Sequence, residues 1–291
     1  RCLQQRLPIS TLRSQMSLPT QPPLSLAAAF WLRSFRALGQ LPLVVLHVLG
    51  WVMGWMTWSM SRSYRRHWRE NTQQAAIPER DARAAVGAAG QMIAEIPRLW
   101  FGRPVPTTWE GGELIEEALQ SGRSVLFLTP HLSAFELTVI AYAQAWGERQ
   151  PISVLFQPPR KTYLSPLLNA GRVRPGVDPV PTNMSGVKRL LQVLKKGGVV
   201  GLLPDQVPPP NMGVVAPFFG KSAYTMTLAA RLAELADEVF LASVERLAWG
   251  RGYVIRVTRP ESALPEGDHV AAAGQVNLWM EKLILRNPAQ Y

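Results

Sequence analysis

The sequence predicts an α/β protein with a mixed, largely parallel sheet flanked by helices, preceded by an N-terminal transmembrane helix. Five short apolar runs rich in β-branched residues alternate with segments of helical periodicity, as expected for strands joined by crossover helices. An uncharged run of bilayer length precedes them. Hydrophobic residues make up 47% of the 291 residues, so the chain can bury a sizeable core.

The uncharged run covers Leu41–Met60. A helix of this length reaches about 30 Å, the thickness of a bilayer core. Trp51, Trp55 and Trp58 share one helical face, as expected near a membrane interface, and His47 is interpreted as a tolerated polar group. Basic residues flank the run on both sides: Arg33, Arg36, Arg62, Arg65, Arg66 and Arg69. The heavier cluster after the run predicts a cytosolic C-terminal domain, and a buried helix of a soluble core is the alternative.

The soluble part of the chain shows an alternation of strand and helix patterns. Strands are predicted at 124–128, 152–156, 199–203, 239–244 and 253–257, and helices at 82–99, 185–196, 224–236 and 270–285. Pro97, Pro104 and Pro106 predict a break at the end of the first of these helices. The predicted organisation is a basic N-terminal segment (1–37), an anchor helix (38–61) and one α/β domain (62–291).

Charge and cysteine content narrow the classes of partner. The formal net charge of +11 favours phosphates, acidic proteins or acidic lipid surfaces. Nine arginines and no acidic residue precede Glu70, a bias that also fits a transit peptide, and Met16 is a candidate start. Cys2 is the single cysteine, so no internal disulfide forms and a reducing compartment fits. Arginines beside an apolar segment favour anionic lipid, and we expect no nucleic-acid partner.

The segment TPHLSAFE (129–136) follows the first predicted strand, at the position where α/β sheets carry their sites. Within one helix His131 and Glu136 would lie about 140° apart, so they meet only if His131 precedes the helix and Glu136 lies in its first turn. Ser133 is then the expected N-cap. Ser133 and Glu136 also form an S-x-x-E capping box, which explains both without function but leaves the histidine unexplained.

The same residues carry a family resemblance. PHLSAFE resembles the His-x4-Asp/Glu motif of the glycerolipid acyltransferase superfamily in its glutamate version. Residues 202–233 closely resemble a block of the bacterial lipid A biosynthesis (lauroyl/myristoyl) acyltransferases. The N-terminal apolar helix, residues 155–176 and the sequence NPAQY (287–291) are similar to that family as well. Ser133 departs from the family pattern, because a glycine often occupies this position.

The resemblance implies an enzyme that transfers a fatty acyl chain to a hydroxyl of a lipid A precursor, with acyl carrier protein or acyl-CoA as donor. It implies His131 as the general base and Glu136 as the partner that orients its ring. It implies no cofactor and no metal ion. An acidic acyl carrier protein would also suit the basic surface of the chain.

The resemblance also assigns substrate-binding residues. Arg172 and Arg174 would hold an acceptor phosphate, and Asp205 with Gln206 would shape the pocket after the strand at 199–203. The residues alone leave other interpretations open. The two arginines could belong to a solvated basic face, and Asp205 could be a turn residue before the prolines.

Other classes of site have less support. FGKS (219–222) lacks the glycine that a phosphate loop needs five positions before its own glycine. The sequence contains no G-x-S-x-G for a serine hydrolase, and its four histidines form no close pair for zinc. We expect a protein of the bacterial inner membrane with its catalytic domain on the cytoplasmic side. Another glycolipid or lysolipid acceptor, or a non-catalytic lipid-binding protein on the same fold, stays open.

Overall fold

The structure is a computed structural model that describes residues 25–157, 159 and 161–291. The expectations for Cys2, for Met16 and for a transit peptide lie outside the described residues. Within those residues the chain forms ten α-helices and nine β-strands. The helices are α1 (Leu26–Leu38), α2 (Leu43–Met60), α3 (Arg62–Gln74), α4 (Glu79–Phe101), α5 (Gly112–Gln120), α6 (Glu136–Trp146), α7 (Ser165–Arg172), α8 (Met184–Lys195), α9 (Leu228–Ala233) and α10 (His269–Arg286). The strands are β1 (Thr107–Glu110), β2 (Val125–Leu128), β3 (Ile152–Phe156), β4 (Val177–Pro181), β5 (Val199–Leu202), β6 (Gly213–Phe218), β7 (Lys221–Met226), β8 (Glu238–Arg246) and β9 (Tyr253–Thr258).

Seven strands form one sheet in the order β1-β9-β8-β2-β5-β3-β4, and β6 pairs with β7 in a separate hairpin. Neighbours in the large sheet are parallel except β8 and β9, which confirms the predicted mixed, largely parallel sheet. Alternate residues of β2 enter two different cores. Val125 and Phe127 belong to one core and Leu126 and Leu128 to the other, so both faces of this strand are covered.

The five predicted strands are all present, and three of the four predicted helices correspond to α4, α8 and α10. The helix expected at 224–236 is wrong in its first part, because residues 221–226 form β7. Phe219 and Gly220 have φ angles of 47° and 71°, which turn the chain tightly from β6 into β7. The break expected at Pro97 is also misplaced, since α4 continues past it to Phe101.

The strands that the sequence pattern missed include both edges of the large sheet. β1 reads TTWE and β4 reads VDPVP, so neither contains a continuous apolar run. An edge strand is paired on one side only, and therefore tolerates proline and polar residues. The apolar pattern consequently predicted the central strands and not the edges.

The carboxyl-terminal ends of the parallel strands form the edge where sites of α/β proteins occur. β2 and β5 are neighbours with Leu128 opposite Leu202, so the loops that follow them leave the sheet side by side. The end of β8 and the start of β9 lie at this edge too, because these two strands are antiparallel. α4 lies over the edge, since Glu95 binds Arg246 at the end of β8 and Tyr253 at the start of β9.

The predicted anchor forms α2, which is long and apolar enough to cross a membrane by length and composition alone. Glycines bring its backbone against α4. A Cβ atom on Gly90 would lie 2.0 Å from the carbonyl oxygen of Gly50, and one on Gly54 would lie 2.2 Å from that of Val86. The outer face of α2 exposes apolar side chains: Val44, Val45, Val48, Leu49, Val52, Met53 and Met56.

His47 lies on the inner face of α2 and is fully buried. Its Nδ1 accepts a 3.2 Å hydrogen bond from the Gly250 N–H, and its Nε2 lies 3.3 Å from Glu95 Oε2. It is therefore more than a polar group tolerated in an apolar run. His47 bonds α2 to both α4 and the β8–β9 connection.

Candidate active site

His131 lies in the loop between β2 and α6, at the carboxyl-terminal edge of the sheet. Its Nδ1 is 2.6 Å from Asp205 Oδ1, and its backbone N–H donates a 2.8 Å hydrogen bond to Asp205 Oδ2. Asp205 follows β5, the strand beside β2. The Asp205 side chain is 1% exposed and that of His131 is 27% exposed, so the carboxylate is buried behind an accessible ring.

The two nitrogens of the His131 ring have different partners. A carboxylate can only accept hydrogen bonds, so Nδ1 carries the hydrogen and Nε2 of the neutral ring carries the lone pair. The Gln206 amide nitrogen lies 3.0 Å from Nε2 and donates to it. The Phe135 ring packs against the imidazole at a centroid distance of 4.7 Å. The basic nitrogen of His131, Nε2, therefore faces the exposed amide of Gln206.

Asp205 has a third partner besides the two groups of His131. The Tyr291 hydroxyl donates a 3.2 Å hydrogen bond to its Oδ2. Asp205 thus accepts hydrogen bonds from a ring N–H, a backbone N–H and a phenol. Three donors compensate for the burial of this carboxylate.

Glu136 is the first residue of α6, as its expected position in a first turn required. Its carboxylate, however, binds other groups. Oε1 accepts a 3.0 Å hydrogen bond from Arg172 Nε, and Oε2 accepts a 2.8 Å bond from the Trp100 indole N–H. The Arg172 guanidinium also lies 5.6 Å from the centres of the Trp100 and Phe156 rings. Glu136 therefore pairs with Arg172 beside the rings of Trp100 and Phe156.

The direct pairing expected between His131 and Glu136 is wrong in this structure. Both ring nitrogens of His131 are bonded to residues that follow β5, and both carboxylate oxygens of Glu136 are bonded to Trp100 and Arg172. The reason is the path of the loop. It turns at Ser133, whose φ is 52°, and faces the ring towards the neighbouring strand.

The capping-box interpretation is also wrong. The N-cap of α6 is Phe135, without a side-chain cap, and the buried Ser133 hydroxyl has no hydrogen-bond partner among the described residues. Ser133 instead occupies the left-handed region, which glycine adopts without strain and other residues adopt at a cost. This conformation explains why glycine suits the position.

The two arginines expected to bind phosphate lie in different surroundings. Arg172 faces Glu136, near the catalytic edge. Arg174 lines an open cavity of about 510 Å³ together with Pro151, Val177 and Lys196. These residues lie at the amino-terminal ends of β3, β4 and β5, opposite the edge that carries His131. The structure bonds Asp205 and Gln206 to His131, whereas the Arg174 guanidinium donates to the Gly171 carbonyl and lies close enough to Glu136 to feel its charge.

The sequence reasoning missed Trp100 and Tyr291 as site residues. Tyr291 belongs to the NPAQY segment, which was recognised only as part of the family resemblance. Trp100 lies in the last turn of α4, and no local sequence pattern marked it as a site residue. The described residues contain no group of three or more His, Cys, Asp or Glu side chains that could hold a metal ion. A neutral imidazole supported by a carboxylate is an arrangement that can accept a proton from a hydroxyl.

Comparison with known proteins assigns the chain to a family. The model of the family described as bacterial lipid A biosynthesis acyltransferase matches residues 20–291. The chain is 27% identical over 210 residues to the lipid A biosynthesis lauroyltransferase of Escherichia coli K12, covering 70% of this chain and 67% of that protein. It is 25% identical over 185 residues to lipid A biosynthesis acyltransferase 2 of Shigella flexneri, covering 63% of this chain and 58% of that protein.

A third relative gives a similar result. The lipid A biosynthesis myristoyltransferase of Escherichia coli K12 is 25% identical over 190 residues, which cover 63% of this chain and 56% of that protein. The matched segment thus spans less than two thirds of two of the three relatives. The family model, in contrast, covers nearly the whole chain, and the protein belongs to the bacterial lipid A biosynthesis acyltransferase family.

Proposed function

We propose that the protein is a membrane-bound O-acyltransferase, which transfers a fatty acyl chain from an acyl thioester to a hydroxyl of a lipid A precursor. The observation that carries the proposal is the 2.6 Å contact between His131 Nδ1 and the buried Asp205, in the loop that bears the family's histidine motif. Membership of the family supports the reaction class. Acyl carrier protein is the proposed donor, with acyl-CoA as the alternative.

In the proposed reaction His131 is the general base. The acceptor hydroxyl oxygen attacks the thioester carbonyl while Nε2 removes its proton, and the Asp205 carboxylate stabilises the resulting imidazolium. The C–S bond then breaks, and the imidazolium returns the proton to the leaving thiolate. The products are an ester and a free thiol, so no protein nucleophile is needed.

Gln206 occupies the position that the acceptor hydroxyl needs. Its amide donates to Nε2 of His131, so a substrate hydroxyl must displace it before proton transfer. The Gln206 side chain is exposed, and its displacement therefore disturbs no packed core. We propose that the displaced amide then binds another oxygen of the acceptor.

Glu136 serves the acceptor site through Arg172 in this proposal. The ion pair between them, with Trp100 bonded to the same carboxylate, fixes the guanidinium beside the catalytic edge. Arg172 is then the proposed contact for an acceptor phosphate, because a guanidinium binds phosphate oxygens in a fixed geometry. Arg174 and its cavity are not needed for this step.

The proposal that the protein is anchored to a membrane rests on α2. This helix packs on α4, which covers the edge that carries His131, and its outer face is apolar and exposed. A lipid acceptor in the bilayer would thus lie near the site. We propose that residues 38–61 anchor the domain 62–291 to the cytoplasmic side of the inner membrane.

Lipid analysis tests the proposal. Cells with the protein should contain lipid A with one additional acyl chain, measured by mass spectrometry, and cells with His131→Ala should not. General base catalysis contributes about 10²- to 10⁴-fold, so the variant should be nearly inactive. His269→Ala is the matched control, because His269 is exposed at the start of α10.

Two outcomes would contradict the proposal. A folded His131→Ala protein that adds the acyl chain at the parental rate would overturn the role of His131 as the general base. An added chain on a different glycolipid would retain the reaction and overturn the acceptor. Purified protein given acyl carrier protein or coenzyme A thioesters then decides between the donors.

A further inference from the structure

The turn at Pro288–Gln290 lies against the catalytic loop. The backbone carbonyl of Gln290 accepts a 2.8 Å hydrogen bond from the Ser133 N–H. Ser133 lies two residues after His131 in the strained left-handed conformation. A strained residue persists only where its surroundings hold it, and this hydrogen bond provides such a restraint.

Gln290 is itself fixed by its side chain. Its Oε1 accepts a 2.7 Å hydrogen bond from the Arg246 backbone N–H, and its Nε2 donates a 2.9 Å bond to the Arg246 carbonyl. The amide thus pairs with the backbone at the end of β8 as a neighbouring strand would. The Arg246 side chain is buried and bonded to Glu95, so the attachment point is rigid.

The next residue makes a second connection to the site. Tyr291 donates its hydroxyl to Asp205, the carboxylate that holds His131. Residues 290 and 291 therefore contact both parts of the candidate base: the loop that carries the histidine and the acid that orients it. Both contacts depend on the position of the Pro288–Gln290 turn, which the Gln290 side chain attaches to the end of β8.

We infer that Gln290 is a positioning residue, which holds the His131 loop in its catalytic geometry by connecting it to the end of β8. The inference rests on the proposed function for its kinetic consequence. Gln290 acts through Ser133 and Tyr291 and touches no reacting atom. Loss of its side-chain bonds should let the loop relax from the conformation at Ser133 and shift the imidazole.

The test compares Gln290→Met with Gln275→Met. Methionine keeps the length of glutamine and removes both bonds to Arg246. Gln275 is a matched control on α10, where its amide donates an exposed 2.9 Å bond to Ser262. Gln290→Met should lower kcat by roughly tenfold or more, with an unchanged acceptor KM, because catalysis is sensitive to small displacements of the base. Gln275→Met should leave both constants unchanged.

A second readout does not depend on catalysis. The chain has four histidines, so ¹⁵N-histidine labelling gives few ring signals, and His131→Ala assigns the one of interest. The His131 ring signals should shift or broaden in Gln290→Met and not in Gln275→Met. Unchanged ring signals, or a rise in KM at constant kcat, would overturn the inference. Shifted ring signals together with a fully active His131→Ala would support the contact and overturn the proposed function instead.

Discussion

His47 and His131 each contact a buried carboxylate, and the two rings differ in exposure. His47 and Glu95 are both fully buried, with the Tyr253 hydroxyl donating a 2.7 Å bond to Glu95. His131 has Asp205 behind it but is itself 27% exposed. The same residue types therefore form a structural contact in one region and a candidate base in the other. Access to the second ring nitrogen makes the difference.

The partner of that second nitrogen decides what each ring can do. Nδ1 of His47 is bonded to the backbone of Gly250, which cannot leave without disturbing the β8–β9 connection. Nε2 of His131 is bonded to the exposed amide of Gln206, which can rotate away. A histidine whose partners are all fixed stabilises the fold, whereas one with a replaceable partner is available for chemistry.

Substituting the two histidines gives the largest expected contrast. His131→Ala should lower kcat by about 10²- to 10⁴-fold and cost less stability than His47→Ala, because its ring is partly exposed and Asp205 keeps the residue 131 backbone N–H and the Tyr291 hydroxyl as donors. His47→Ala should lower the free energy of unfolding by about 1–3 kcal/mol, since it leaves a buried N–H and a buried carboxylate with fewer partners. Steady-state kinetics and thermal unfolding measure the two effects.

Two results would contradict this contrast between a structural and a catalytic histidine. A His47→Ala protein that is stable but inactive would mean that the buried cluster takes part in the reaction. A His131→Ala protein that unfolds would mean that the candidate base is mainly structural. Activity should be expressed per folded molecule.

Glu95 provides a test of the buried cluster. Burial opposes ionisation of Glu95, but its hydrogen bonds and the charge of Arg246 outweigh burial and hold its pKa below the ordinary value. Removing one partner of a buried ion pair costs about 3–5 kcal/mol, so Glu95→Ala should be strongly destabilised. Glu261→Ala, which removes an exposed pair with Lys282, is the control and should leave stability nearly unchanged, because solvent screens exposed pairs.

The same lowered pKa of Glu95 predicts a pH dependence. A carboxylate with a depressed folded pKa contributes stability above its unfolded value, here about 4.5, and this contribution is lost as the pH falls through the folded value. The stability difference between the parent and Glu95→Gln should therefore shrink below about pH 4.5. Thermal unfolding across pH 3–7 measures it, and a constant difference would contradict the charged state of Glu95.

Asp205→Asn and Glu136→Gln test the partner of His131. A comparable Asp→Asn change in a serine protease triad costs about 10⁴-fold in kcat, and we expect Asp205→Asn to lower kcat at least 10²-fold. Glu136→Gln should act through Arg172, and should raise the acceptor KM more than it lowers kcat. Steady-state kinetics measures both variants. A larger loss of kcat in Glu136→Gln than in Asp205→Asn would show that the His131 ring turns to Glu136 during turnover.

Ser133→Gly gives the smallest expected effect. Glycine relieves the strain of a φ of 52° and removes a buried hydroxyl without a described partner, so stability should rise by about 1 kcal/mol. Ser133→Ala removes the hydroxyl alone and separates the two contributions. Chemical denaturation measures both variants. A less stable Ser133→Gly protein would mean that the hydroxyl has an important partner, such as a water molecule.

The central strands and most long helices followed from the sequence, because burial on two faces leaves continuous apolar runs and amphipathic helices leave a helical period. β1 and β4 did not follow, since edge strands carry no such pattern. The first part of the helix expected at 224–236 failed for a related reason. Its residues pair with β6 across a tight turn, and this pairing outweighs their helical pattern.

The sequence by itself determined that an apolar helix precedes an α/β domain, and that His131 follows the end of a buried strand. These are local properties of apolar runs and their spacing. Only the tertiary structure decided that the ring faces Asp205, 74 residues away, and that Glu136 binds Arg172 instead. Local spacing limits which side chains can meet, but the order of strands in the sheet determines which of them do. β5 lies beside β2 and brings its own acid to the histidine.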